Sequence, residues 1–187
     1  MHNAFFPLRQ TQKHNVFTSY YHYDDQAYKD AFIRAFGHIF IDKSVSPGDI
    51  STDVSAEYVK RLIQGEKFLR DASVTIVLCG PNTKTRKHVD WEISGTLSSK
   101  IGGKAGLLGI LLPHFPLNSN NTYNLTDLPP RLMDNVNTGY AAVYAWNDLT
   151  SDVEKVRNAI EQAFQNRTSD NSRNGRDQMQ INTTGRL

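Results

Sequence analysis

The stretch TKTRKHVDWEISGTL, residues 83–97, holds the side chains whose types and spacing most directly suggest chemistry. On a helix advancing about 100° per residue, Glu92 falls about 60° from Val89 and shares a flank with His88 and Thr96. Val89, Ile93 and Leu97, spaced by four, mark a buried stripe, and that flank borders it. A carboxylate there, near the first turns of a helix at the mouth of a sheet, is partly desolvated yet reachable by a ligand. The plainer alternative is a solvated residue paired with His88 at i, i+4, and spacing alone leaves both open. Arg86, just ahead of the helix, could hold a phosphate or stand in solvent. Trp91 points away from Glu92 on an ideal helix, so packing comes before ligand contact in its reading. Cys79 reads as a small buried strand residue, because no basic neighbour that would activate a thiolate is identifiable. The six histidines have no metal-ligand spacing, and no metal is expected.

The elements that must position these residues follow from periodicity. HNVFTSY, residues 14–20, predicts a central first strand, and Asp24 and Asp25 can cap a helix carrying Tyr28, Phe32, Ala35 and Phe36, ended by Gly37. HIFID, residues 38–42, predicts a second strand before an exposed loop around Pro47-Gly48. A second helix is expected from about Asp53 to Arg70. SVTIVLC, residues 73–79, is near-continuously apolar, as a strand buried on both faces should be. The helix over 87–99, strands over 105–112 and 140–146, and a helix over 151–164 with a Ser151/Glu154 capping box complete the pattern. Five strands alternating with helices predict an α/β, flavodoxin-like three-layer fold with a parallel five-stranded sheet in the order 2-1-3-4-5. Ligands in such folds sit beyond the strand ends where the order reverses, which brings residues 19–25 and 79–85 together. A phosphoacceptor receiver domain has the same fold but expects an Asp where this chain has Cys79 and Gly80.

Two stretches break the pattern. Residues 113–139 form a connection too long for an ordinary loop, with four prolines, and a functional or wrapping role is expected. Residues 167–187 are polar, lack aromatics, and are expected to be a disordered tail. The domain itself is placed at 14–166, after a lead of residues 1–13. A formal net charge of +2 from 21 basic and 19 acidic residues argues against nucleic acid or a membrane surface as partner. One cysteine, no visible secretory signal and no apolar run of about 18 residues point to a reducing cytoplasm. No Walker loop, G-x-G-x-x-G, Cys-x-x-Cys or H-E-x-x-H is present.

VFTSYYHYDD, SVTIVLCGPNTKTRKHVDWEI and LPPRLMDNV together resemble the TIR-like family of the Thoeris antiphage system, the ThsB-like proteins. The T-x-x-R-x-x-V-D-W-E-I block, Thr83 to Ile93, is the most specific part. The resemblance implies that Glu92 is the catalytic carboxylate of an enzyme that cleaves NAD at its nicotinamide-ribosyl bond, with NAD as substrate and no cofactor. It further implies a cyclic ADP-ribose-type signal, a partner effector that responds to it, self-association on activation and a phage-derived trigger. Ser19, Tyr20 and Tyr21 could then stack on nicotinamide or adenine and contact ribose, or plug the top of the core. Asp49 and Asp53 match the region that TIR domains use for gating and assembly, and Asp53 is expected with Ser19, Tyr20, Tyr21, Arg86 and Trp91 among the substrate-binding residues. Two other readings stay open: a TIR-like scaffold without turnover, and a nucleoside 2-deoxyribosyltransferase-like enzyme.

Overall fold

The computed structural model describes residues 12–44, 69, 71–98 and 103–183. The Pro-Gly loop with Asp49 and Asp53, and the helix expected over 53–70, lie outside the described residues, apart from Leu69, which is buried.

Five parallel strands, β1 (Asn15–Ser19), β2 (Ile41–Asp42), β3 (Val74–Cys79), β4 (Gly106–Leu111) and β5 (Ala142–Ala145), form one sheet in the order β2-β1-β3-β4-β5. Their register aligns Ser19 with Val77, Cys79 with Leu111, and Leu111 with Ala145. This is the flavodoxin-like arrangement that the alternating pattern predicts. Side chains alternate along β3, so Val74, Ile76 and Leu78 enter one core and Val77 and Cys79 the other. Helices α1 (His22–Phe36) and α5 (Val153–Asn166) close the first core with Phe32, Phe36, Val156 and Ile160. Helices α2 (Lys87–Leu97) and α3 (Pro130–Asn137) close the second with Val89, Ile93, Leu97 and Leu132. A short helix α4 (Trp146–Leu149) follows β5. Gly106 lets α5 lie against β4, because a Cβ there would run into the Ala163 carbonyl.

Local details depart from the sequence reading. Helix α1 begins at His22, so Asp24 and Asp25 sit in its first turn and do not cap it. The cap of α5 is Asp152, which accepts from the Glu154 amide at 2.9 Å, while Ser151 donates to the Asp148 carbonyl. The long connection contains α3, because Pro130 occupies the first helical position, where its missing N–H costs nothing.

Within the tail expected to be disordered, residues 173–183 make specific contacts. Residues 173–183 run irregularly across α2 and α3, held by hydrogen bonds to Asp90, Trp91, Arg131 and Asn135. Composition weighs apolar burial, whereas this segment is ordered through amide side chains and its own main chain.

Candidate functional site

Parallel strands carry their C-terminal ends to one edge, and the expected junction of residues 19–25 with 79–85 forms there. Ser19 is the last residue of β1 and 1% exposed. Glu92 sits in the second turn of α2, which Gly80 to Arg86 launch from the end of β3 through a 3-10 turn at Thr83–Thr85. The Ser19 hydroxyl donates to Glu92 Oε2 at 2.5 Å. Behind it, Thr96 Oγ1 lies 2.9 Å from the Glu92 carbonyl and 2.8 Å from Thr75 Oγ1, tying this turn of the helix to β3.

The Glu92 carboxyl is enclosed by protein although the residue as a whole keeps some exposure. Burial pushes its pKa up to about 8, and the Ser19 hydrogen bond pulls it part of the way back. No cation is paired with this carboxylate among the described residues. It can therefore accept from hydroxyls or stabilise a positive charge that arrives with a ligand.

The other expected residues divide. Arg86 stacks on the Tyr21 ring, its guanidinium carbon 4.0 Å from the ring centre, and its Nε donates to the Asn82 carbonyl at 3.3 Å. Both are only partly buried, so a cationic and aromatic patch fringes the same strand end. Tyr20 packs on the first core and donates its hydroxyl to Gln26 at 2.6 Å; burial pushes that hydroxyl up to about 12. Trp91, read as packing before ligand contact, is 4% exposed, and its indole N–H donates to the Met179 carbonyl at 2.8 Å beneath the C-terminal segment. Asp53 lies outside the described residues.

Sequence reasoning missed two groupings. Asp25 is 1% exposed beside the same strand ends, 3.0 Å from His114 Nε2 and accepting from Thr83 Oγ1 at 3.3 Å. Burial raises its pKa and His114 opposes the rise. Thr83 Oγ1 also accepts from the Gly80 amide at 2.8 Å, and a Cβ on Gly80 would come within 2.6 Å of the Asp25 carboxylate. Asp25 thus fixes the turn that launches α2, a role that only the Gly80 after β3 hinted at. In the second grouping, fully buried Arg131 donates Nε to Asp90 Oδ1 at 3.0 Å and Nη2 to Oδ2 at 3.3 Å. The VDWEI and PPRLMDN blocks therefore meet in space.

Two surface hollows lie elsewhere, about 510 Å³ beside Asp134 and Arg176 and about 450 Å³ beside Tyr144 and Lys155. Neither touches Ser19 or Glu92. No described helix is long and apolar enough to cross a membrane.

A family model described as Thoeris protein ThsB, TIR-like domain, matches residues 17–115, just over half of the chain. The match runs from β1 through Glu92 to the turn after β4. No curated protein matches.

Proposed function

This chain belongs to the TIR-like domain family of the Thoeris protein ThsB, and on that premise we propose that it cleaves NAD at the nicotinamide-ribosyl bond, using Glu92. The observation that carries this reading is the enclosed Glu92 carboxyl held by Ser19 at the C-terminal edge of the sheet. In the reaction the bond between ribose C1′ and the nicotinamide nitrogen breaks, and its electron pair leaves with nicotinamide, which becomes neutral. The ribosyl carbon is left with oxocarbenium character. A carboxylate beside it holds the ribose hydroxyls and stabilises the new charge, so one carboxylate suffices without the second of ordinary glycosidases. Water then adds at C1′ and loses a proton, giving ADP-ribose, or a nucleophile within the same dinucleotide closes a cyclic isomer.

The cationic nicotinamide ring itself favours ionised Glu92 when NAD binds. Tyr21 offers a face for stacking, and Arg86 a charge for a phosphate. The cyclic product is the signal read by a partner effector in defence, with a phage-derived trigger and self-association switching the enzyme on. Asp53 is proposed to act in that switching.

The test is to incubate purified protein with NAD, with and without lysate from phage-infected cells, and to resolve products by mass spectrometry. Wild type should release nicotinamide and a cyclic ADP-ribose-type product, and Glu92→Gln should lower the rate by about 10²–10³-fold. Failure of both conditions to give Glu92-dependent release removes the catalytic reading. Full defence by a folded Glu92→Gln variant would favour a scaffold, and turnover of a free nucleoside would favour the deoxyribosyltransferase.

A further inference from the structure

Residues 173–183 are held on α2 and α3 by main-chain and side-chain hydrogen bonds alike, the latter including Arg176 Nε and Nη2 on Asp134 at 3.0 and 2.9 Å. Asn135 grips Arg173 at both polar groups, donating Nδ2 to its carbonyl and accepting from its amide, each at 2.8 Å. Met179 is gripped the same way: its amide donates to Asp90 Oδ2 at 2.9 Å and its carbonyl accepts from Trp91 Nε1 at 2.8 Å. Between these clamps, Arg131 Nη1 and Nη2 donate to the carbonyls of Asn174 and Asp177, both at 3.2 Å. Further along, the Thr183 amide donates to the Thr85 carbonyl at 3.0 Å.

Side chains set the register of the segment. Asn174, Gln178 and Asn182, four residues apart, reach Ser94 O, Ser94 Oγ and the Lys87 amide at 3.1, 2.8 and 3.0 Å. Main-chain hydrogen bonds for affinity, with side chains in register for specificity, are how a protein surface reads an added peptide. The receiving side chains are also held from the domain side: Arg131 is paired with Asp90, and Asn135 Nδ2 donates to the Arg131 carbonyl at 2.8 Å.

We propose that the α2–α3 face is a peptide-binding groove, filled in cis by residues 173–183 and able to take the same segment from a second copy of this chain. A second copy is the occupant that fits by construction, since every contact broken in cis is remade in trans. Residues 167–172 separate α5 from the first clamp, and Lys104 Nζ reaches them through Ser169 O at 3.3 Å and Ser172 Oγ at 2.7 Å. This inference is independent of the NAD reading.

The test uses the full chain carrying Arg173→Pro and Met179→Pro. Proline removes the two amide donors that the clamps accept, which frees the cis segment and leaves the groove residues intact. A fluorescein-labelled synthetic peptide of residues 170–183 should bind this variant saturably and one to one. Wild type should bind it at least about ten-fold more weakly, because its own segment competes at an effective concentration of roughly millimolar. The same peptide with both prolines should bind neither protein. No binding by a folded variant, or equal binding by the proline peptide, overturns the proposal. Hydrogen exchange on wild type tests the cis clamps without the variant: the amides of Arg173, Met179 and Thr183 must exchange more slowly than those of Gly175 and Arg176. Equal exchange across the segment also overturns it.

Discussion

A carboxyl held near pKa 8 is mostly protonated at neutral pH, which gives Glu92 two measurable signatures. If it acts ionised on NAD, kcat/KM, which reports the free enzyme, should rise with pH and level off above about 8. The Ser19 hydroxyl lowers the Glu92 pKa, so Ser19→Ala should move this limb to higher pH; an unmoved limb would separate Ser19 from the ionisation. The stability signature has a definite sign. Because the folded pKa is raised above the ordinary 4.5, the contribution of Glu92 to stability is full below that value and is lost as pH rises through about 8. Glu92→Gln has no proton to lose. Its Tm relative to wild type should therefore improve by roughly 5 °C between pH 5 and pH 9, and parallel thermal curves would contradict the burial argument. The meeting of residues 19–25 with 79–85 was legible because strand ends follow from sequence spacing, whereas spacing left Glu92 open and the resemblance singled it out. The Asp25–His114 contact was not, since it joins two turns that only the finished sheet brings together.

Helix α2 carries different work on its different sides: Val89 and Ile93 enter the core, Glu92 faces Ser19, and Asp90 and Trp91 face the C-terminal segment. The Asp90–Arg131 pair couples this helix to α3 inside the protein, where breaking a pair costs more than replacing it. Arg131→Met should destabilise the fold by about 3–5 kcal/mol in urea denaturation, since Asp90 is left buried and without its cation. Adding Asp90→Asn, which keeps an acceptor for the Met179 amide, should recover at least about 1 kcal/mol. Strictly additive losses would mean the pair is not coupled. Helix α3 escaped the sequence reading because its two prolines were weighed as loop markers, although one of them is a helix start. Strand β3 was legible for the opposite reason: an unbroken run of apolar residues is what burial on both faces demands.

At the scale of the whole molecule, the two sides of the sheet are covered differently. The α1 and α5 side is closed by apolar helix faces. On the α2 and α3 side, residues 173–183 form a further layer that bonds the buried Arg131 and Asp90. The sheet order was legible from strand count and alternation, whereas this layer was not, since hydrogen bonding by amides leaves no periodic apolar trace. Truncation after Arg167 tests its weight. Ordering a segment costs about 1–2 kcal/mol per residue, and each hydrogen bond returns only about 0.5–1.5 kcal/mol; the clamps therefore offset much of that cost without a large surplus. Burial of the Trp91 indole beneath the segment adds to them. The truncated protein should fold with the same far-ultraviolet spectrum yet lose about 2–3 kcal/mol, lowering Tm by roughly 5–10 °C. Its Trp91 emission should shift to the red as water reaches the indole. An unchanged Tm with unchanged emission would mean that these residues lie on the domain without stabilising it.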